Sequence, residues 1–179
     1  MPRIAIIGAG STVFARQIMI DVMMTPGLEQ GTFALVDIDP RRLELAHQVA
    51  EKVVAAGGRR WSVEATTNRR DVLAGCDFIV NTIEVSGLQT VRYDNEIPAK
   101  YGVDQCIGDT IGPGGLFKAL RTGPAWLDIL RDAEELCPDA LVLNYTNPMS
   151  LLCLAGFRAT RMQIVGLCHS VQGTSAQLA

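Results

Sequence analysis

Short apolar runs alternate with longer amphipathic stretches along this chain of 179 residues. The first run, Ile4 to Ile7, breaks into Gly8-Ala9-Gly10-Ser11. Apolar positions at helical spacing then continue over Val13 to Met24, with Pro26-Gly27 as the exit. Thr32 to Ile38 reads as a second strand and Pro40 to Ala56 as a second helix. Asp39 caps that helix, Pro40 takes its first position, Leu43, Ala46, Val49, Ala50 and Val53 share one face, and Gly57-Gly58 stops it. The same pattern predicts a strand over Trp61 to Thr66, a brief helix over Arg69 to Ala74 and a buried strand over Asp77 to Ile83. A helix over Val91 to Tyr101 and a long one over Leu116 to Leu136 follow. A strand over Ala140 to Tyr145, a helix over Pro148 to Gly156, a sixth strand over Gln163 to Leu167 and the opening of a last helix complete the chain. Strands that alternate with helices in this way predict an α/β fold: a doubly wound, parallel, six-stranded sheet of Rossmann type, in order 3-2-1-4-5-6, with helices on both faces.

Composition narrows the partners. With 48% hydrophobic and 20% charged residues, the chain can bury one substantial core, so residues 1–179 are expected to form one domain. A formal net charge of -3 without any Lys/Arg block argues against nucleic acid or an anionic membrane as the main partner. No stretch approaches the roughly 20 apolar residues of a membrane span, and the apolar start is too short for a secretory leader. The five cysteines have no Cys-x-x-Cys spacing and are expected to be reduced thiols in the cytoplasm. Four of them sit where a small buried hydrophobe suffices.

The glycine turn is the first candidate for chemistry. Dinucleotide phosphates need backbone N–H groups brought close without an intervening side chain and aimed from a helix N-terminus, which Gly8 and Gly10 allow. Ser11 or Thr12 can cap the helix and lend a hydroxyl to the pyrophosphate, and Arg16 faces the same end. Val13 stands where a third glycine or alanine is expected, which predicts slightly wider helix–strand packing. Asp37 ends the second run, where the adenosine ribose hydroxyls of NAD are held, and Asp39 is its neighbour. Thr82 and Glu84, at the tip of the fourth strand, complete the cofactor-binding candidates. An ordinary Gly-rich turn is the structural alternative.

The least regular stretch is Gly102 to Gly115, GVDQCIGDTIGPGG, with five glycines in 14 residues. A connection of that length in a compact domain is functional or disordered, and its titratable candidate is Asp109, which otherwise makes a turn. Two further motifs end the last two strands and so point at the ligand crevice. In the first, Asn147 precedes Pro148, which leaves its amide free for a sugar or ribose hydroxyl, or makes it a helix cap. In the second, Cys168 and His169 stand side by side, open to a metal role, a Cys–His nucleophile or a structural role.

Taken together, GAGST, LVDID, CIGDTIGPGG, NYTNPM and GLCHSVQGT resemble, in order, the amino-terminal half of the family-four glycoside hydrolases, and the last is most similar to their α-galactosidase (melibiase-type) branch. The resemblance implies an exception to paired-carboxylate hydrolysis. In it NAD takes hydride from C3 of the sugar, the C2 proton is lost, the aglycone leaves by elimination, and water addition with hydride return closes the cycle. It further implies a divalent metal, typically Mn²⁺, bound through Cys168, and a glycoside substrate contacted by Asn147 and Asp109. Asp109 and His169 become the catalytic candidates, although His169 stands where some α-glucosidases carry an aspartate proposed as the acid. The second metal ligand and the C2 base are expected outside this sequence, which then supplies the NAD-binding fragment of a homo-oligomeric cytoplasmic enzyme. The alternative is an NAD-dependent 2-hydroxy-acid dehydrogenase of lactate/malate type. A non-catalytic NAD-sensing domain would leave the GDTIGPGG loop unexplained.

Overall fold

Six parallel strands in the order β3-β2-β1-β4-β5-β6 form the sheet of the computed structural model, which describes residues 1–168 and 170–178 apart from the side chains at 12 and 171–173. They are β1 (Arg3–Ile7), β2 (Gln30–Val36), β3 (Arg60–Thr66), β4 (Phe78–Asn81), β5 (Leu141–Asn144) and β6 (Gln163–Gly166). The helices are α1 (Thr12–Met24), α2 (Pro40–Gly57), α3 (Arg70–Leu73), α4 (Leu88–Ala99), α5 (Gly112–Leu136), α6 (Met149–Ala159) and α7 (Ser170–Leu178). The strand order matches the expected one. It places the topological switch point between β1 and β4.

The alternation that predicted the strands also sorts the two cores. Ile4, Ile6, Phe33 and Leu35 point to one face, where Ala15, Ile18 and Met19 of α1 and Leu43, Ala46 and Ala50 of α2 cover them. Ala5, Ile7, Ala34 and Val36 point to the other, against Val72 and Leu73 of α3 and Trp126, Ile129, Leu130 and Ala133 of α5. The Trp126 indole is fully buried, and its N–H donates to the Leu152 carbonyl at 2.8 Å, which ties α5 to α6. Arg69 and Arg70 pair with Asp132, and Arg70 also with Glu135, which fastens α3 to α5.

Registers across the sheet bring Thr66, Val36, Ile7, Asn81, Asn144 and Gly166 into one row at its carboxyl edge. All candidate residues follow this row. Asn81 and Asn144 are buried within it and joined by an amide-to-amide hydrogen bond of 2.8 Å from Asn81 Nδ2 to Asn144 Oδ1. Asn144 also accepts from the Thr146 backbone N–H and donates to the Thr146 carbonyl, fixing the turn out of β5.

Several boundaries differ from the pattern. The second strand stops at Val36 rather than Ile38, whose side chain is 91% exposed. The fourth stops at Asn81 rather than Ile83; Thr82 still donates its backbone N–H to the Ile7 carbonyl at 2.8 Å, and its hydroxyl donates to the Gly8 carbonyl of the glycine turn. The long helix begins at Gly112, inside the stretch read as loop. Pro113 suits its first turn, and Gly114 packs so closely that a Cβ would lie 2.5 Å from the Gly108 carbonyl oxygen. Val13 is 78% exposed, so it does not separate helix from strand; Ala9, Ala15 and Met19 make that contact. Cys76, Cys137 and Cys153 are buried as expected, whereas Cys106 is exposed on the loop before α5. Burial raises the thiol pKa of Cys137 to about 11. No helix among the described residues is long and apolar enough to cross a membrane.

Candidate active site at the carboxyl edge of the sheet

The turn between β1 and α1 is held from below. Gly8 and Ala9 N–H donate to the Val36 carbonyl at 2.9 and 3.0 Å, and the Thr82 hydroxyl donates to the Gly8 carbonyl at 3.0 Å. Gly8 adopts φ +86°, and a Cβ on it would lie 2.8 Å from backbone atoms of Thr82 and Ile83. A side chain is therefore excluded twice, by conformation and by space. Gly10 leaves room for Asp37, which approaches to accept its N–H at 2.8 Å; a Cβ there would stand 2.6 Å from the same carboxylate oxygen. The other Asp37 oxygen accepts the Asp39 N–H at 2.9 Å, so the carboxylate is anchored at the tip of β2.

The start of α1 carries no side-chain cap. Ser11, its N-cap residue, makes no side-chain cap bond, and the first turn carries no acidic residue. The capping hydroxyl anticipated at Ser11 is thus not committed to the helix; the Thr12 side chain lies outside the described residues. Asp39 is spent as predicted for its helix, accepting from the Arg41 and Arg42 N–H groups at 2.9 and 3.3 Å. Its role is that of a cap, one shell behind Asp37. Arg16 lines an outer groove of about 510 Å³ between α1 and α2, with Ile20, Met24, Lys52 and Val53.

On the other side of the switch point, the structure joins two residues predicted separately. Asn147, expected to keep a free amide, donates from Nδ2 to Asp109 Oδ2 at 2.8 Å across 38 residues of sequence. The other Asp109 oxygen accepts the Thr110 hydroxyl at 3.0 Å. Asn147 Oδ1 lies 3.4 Å from the Met149 N–H, too long for a strong cap, so the capping alternative for Asn147 is weak here. Both side chains are half-buried. The Thr146 hydroxyl donates to the Ile83 carbonyl at 3.0 Å, which holds this pair beside the tip of β4.

Thr82 serves the glycine turn, whereas Glu84 pairs with Lys118 of α5, Nζ to Oε2 at 2.8 Å. Beyond Glu84 the chain reverses through Ser86, a non-glycine residue at φ +67°. Lys118 was not among the candidates, nor were Asp94, Gln105 and Arg121, which brace the same corner. Arg121 makes a bidentate pair with Asp94 at 3.0 and 2.7 Å, and Gln105 links the Asp94 carbonyl to the Gly114 N–H. The Asp94 carboxylate, with Glu84 further off, raises the Arg121 pKa against the opposing pull of burial. One signal was available: Lys118, Thr122, Trp126 and Ala133 share a buried face of α5, and a lysine on an apolar stripe calls for a partner.

Cys168 follows β6 and is exposed, and His169 lies outside the described residues. Among the described residues there is no group of three His, Cys, Asp or Glu side chains able to hold a metal. The described donors therefore do not amount to a metal centre, whereas the turn at Gly8 and Gly10 with Asp37 has the side-chain-free approach and the carboxylate that a dinucleotide requires.

The sheet order, the glycine turn at its switch point and the acid ending β2 define a Rossmann-type α/β domain. The chain belongs to the family 4 glycosyl hydrolases, whose family model matches residues 3–179. An α-galactosidase of Bacillus subtilis is 43% identical over 173 residues, which are 96% of this chain and 40% of that protein. A solved structure from the same organism, described as a glucosidase, superposes with a TM-score of 0.86 at 33% identity over 100% of this chain and 41% of its own. A 6-phospho-α-glucosidase from gut microorganisms, solved with NAD and glucose-6-phosphate, gives a TM-score of 0.86 at 24% identity, covering 99% of this chain and 42% of its own. The chain thus spans about two fifths of the length of the relatives it matches.

Proposed function

We propose that residues 1–179 form the NAD-binding part of an α-galactosidase-type glycosidase, and that Asp109 and Asn147 face its sugar substrate. The bound nicotinamide would supply a reversible hydride acceptor for a sugar carbon. Gly8 and Gly10 admit the pyrophosphate to the start of α1, and Asp37 accepts from the adenosine ribose hydroxyls. Thr82 keeps the turn in place, and Glu84 offers a carboxylate on the nicotinamide side. The observation that carries the reading is the Asp109–Asn147 hydrogen bond of 2.8 Å, because it assembles two family motifs into one polar pair at the edge where the cofactor turn lies. An amide that donates to a carboxylate keeps that carboxylate an acceptor, suited to orienting a sugar hydroxyl.

Cys168, just past β6, is proposed as one thiolate ligand of a divalent metal such as Mn²⁺; the described residues do not complete the set. His169 is kept as a proton-donor candidate on the resemblance alone. Five free thiols support a cytoplasmic setting. Exposed Leu116 and Leu120 on α5 and Leu154 and Phe157 on α6 support burial against further protein, including a second copy of the enzyme. Membership of a glycosidase family, with the CHS motif, favours this reading over a lactate/malate-type dehydrogenase.

The test is release of nitrophenol from a nitrophenyl α-galactoside by the protein that carries this chain, with and without NAD⁺, Mn²⁺ and reductant. Turnover that needs catalytic amounts of NAD⁺ is expected. Cleavage that is indifferent to NAD⁺ would overturn the proposal.

A further inference from the structure

Lys118 is a buried cation directed at the ligand edge. Its side chain is 9% exposed, and its ammonium donates to Glu84 Oε2 at 2.8 Å, while the Glu84 side chain is 35% exposed. An ammonium withdrawn from water on a core-facing helix position is costly unless it is paired, so the pair fixes where the Glu84 carboxylate stands. The backbone alone would not fix it: Glu84 follows the end of β4, and the chain then reverses at Ser86 and Gly87, both at positive φ. On the other side of Lys118, α5 is itself immobilised. Its first turn is packed on Gly108 and Thr110, and Arg121, one turn on, grips Asp94 with two hydrogen bonds.

The geometry points to Lys118 as a positioning residue for the nicotinamide half of the cofactor. It holds one oxygen of Glu84 so that the other is presented, at the tip of β4, to a vicinal diol such as the nicotinamide ribose. The inference rests on the proposed NAD-binding function and adds a residue that touches no ligand itself. Glu84 lies on the β4 side of the switch point, across from the Gly10–Asp37 cradle, so the ion pair serves one half of a dinucleotide and leaves the other untouched.

That division supplies the test. Binding of NAD⁺ and of ADP, which lacks the nicotinamide half, is measured by calorimetry on the wild type, Lys118→Met and Lys118→Arg, with thermal denaturation as a control for folding. Lys118→Met is expected to weaken NAD⁺ about tenfold or more while ADP changes less than about twofold, and Lys118→Arg to restore most of the loss. Should Lys118→Met fail to fold, Glu84→Gln takes its place with the same expected split between NAD⁺ and ADP. Equal weakening of both ligands would show a merely structural tie and overturn the inference, as would unaltered NAD⁺ binding. A wild type that binds ADP and not NAD⁺, or neither, overturns the cofactor reading and this inference with it; a wild type that binds NAD⁺ beside an unaffected variant overturns this inference alone.

Discussion

On the β1–β2–β3 side of the switch point, the candidate site is made from backbone N–H groups that meet the end of the next strand: Gly10 N–H meets the Asp37 carboxylate across 27 residues, and Gly8 N–H meets the Val36 carbonyl. On the β4–β5–β6 side it is made from side chains that meet over long stretches of sequence, Asp109 with Asn147 across 38 residues and Glu84 with Lys118 across 34. The first half needs no side chain at Gly8 and Gly10 beside one anchored carboxylate; the second needs a side chain on both members of each pair. Substitutions on the two sides should therefore fail differently, by obstruction on one and by loss of orientation on the other.

The largest effect is expected at Asp109. Asp109→Ala removes the carboxylate that Asn147 holds, and hydrolysis by the protein carrying this chain should fall on the order of 10³-fold, or about 4 kcal/mol of transition-state stabilisation. NAD⁺ affinity, measured by calorimetry, should stay within about twofold; a parallel fall in NAD⁺ affinity would erase the division between the halves. Gly8→Ala comes next and should act through the fold. A methyl at φ +86° set 2.8 Å from backbone atoms cannot be relieved by a rotamer change. The expected cost is about 3 kcal/mol in urea unfolding, with loss of NAD⁺ binding.

Asp37→Asn is milder. It keeps the shape beside Gly10 and removes the charge that repels a 2′-phosphate, so NAD⁺ should weaken about tenfold and its preference over NADP⁺ should shrink. Equal wild-type affinity for NAD⁺ and NADP⁺ would count against Asp37. The smallest effect is electrostatic and lies away from both sites. Burial pushes the Asp132 carboxyl up, but Arg70 and Arg69 outweigh it and hold it below its ordinary 3.8; Arg70 likewise holds Glu135 below 4.5. Folded-state values depressed in this way contribute stability above the unfolded values, and that stability is lost as pH falls through the folded ones. Urea midpoints should thus be flat from neutral pH to about 5 and fall below about 4, less steeply in Arg70→Ala.

The geometry of the first half is legible because each of its parts leaves a short motif by itself, a glycine turn after one strand and an acid ending the next, even though they meet across 27 residues. The strand order followed from the βα alternation and the switch between β1 and β4. β2 and β4 end two residues before their apolar runs do, at Val36 and Asn81. Thr82 bonds β1 by its backbone and the Gly8 carbonyl by its hydroxyl, just past the end of β4, and Ile38 is apolar yet exposed. Gly112 to Gly115 looked like loop because glycine argues against helix, but the tight seat against Gly108 and Thr110 requires those small residues. The Asp109–Asn147 pair was half legible, each residue singled out and their meeting unforeseen. Lys118 is legible in the spacing to Thr122 and Trp126, which puts an ammonium on the apolar stripe of α5, but its partner Glu84, 34 residues earlier, shows only in the folded chain.

The level row of strand ends, from Thr66 through Ile7 to Gly166, bears on how such a protein can diversify. A one-residue slip in any strand would turn its core side chains to the opposite face, so the row is fixed by burial alone. Everything that follows each strand end is released from that constraint. Under the proposed function, new sugar preferences would arise by lengthening or rewriting a connection beyond the row, one strand at a time, with the glycine turn inherited unchanged.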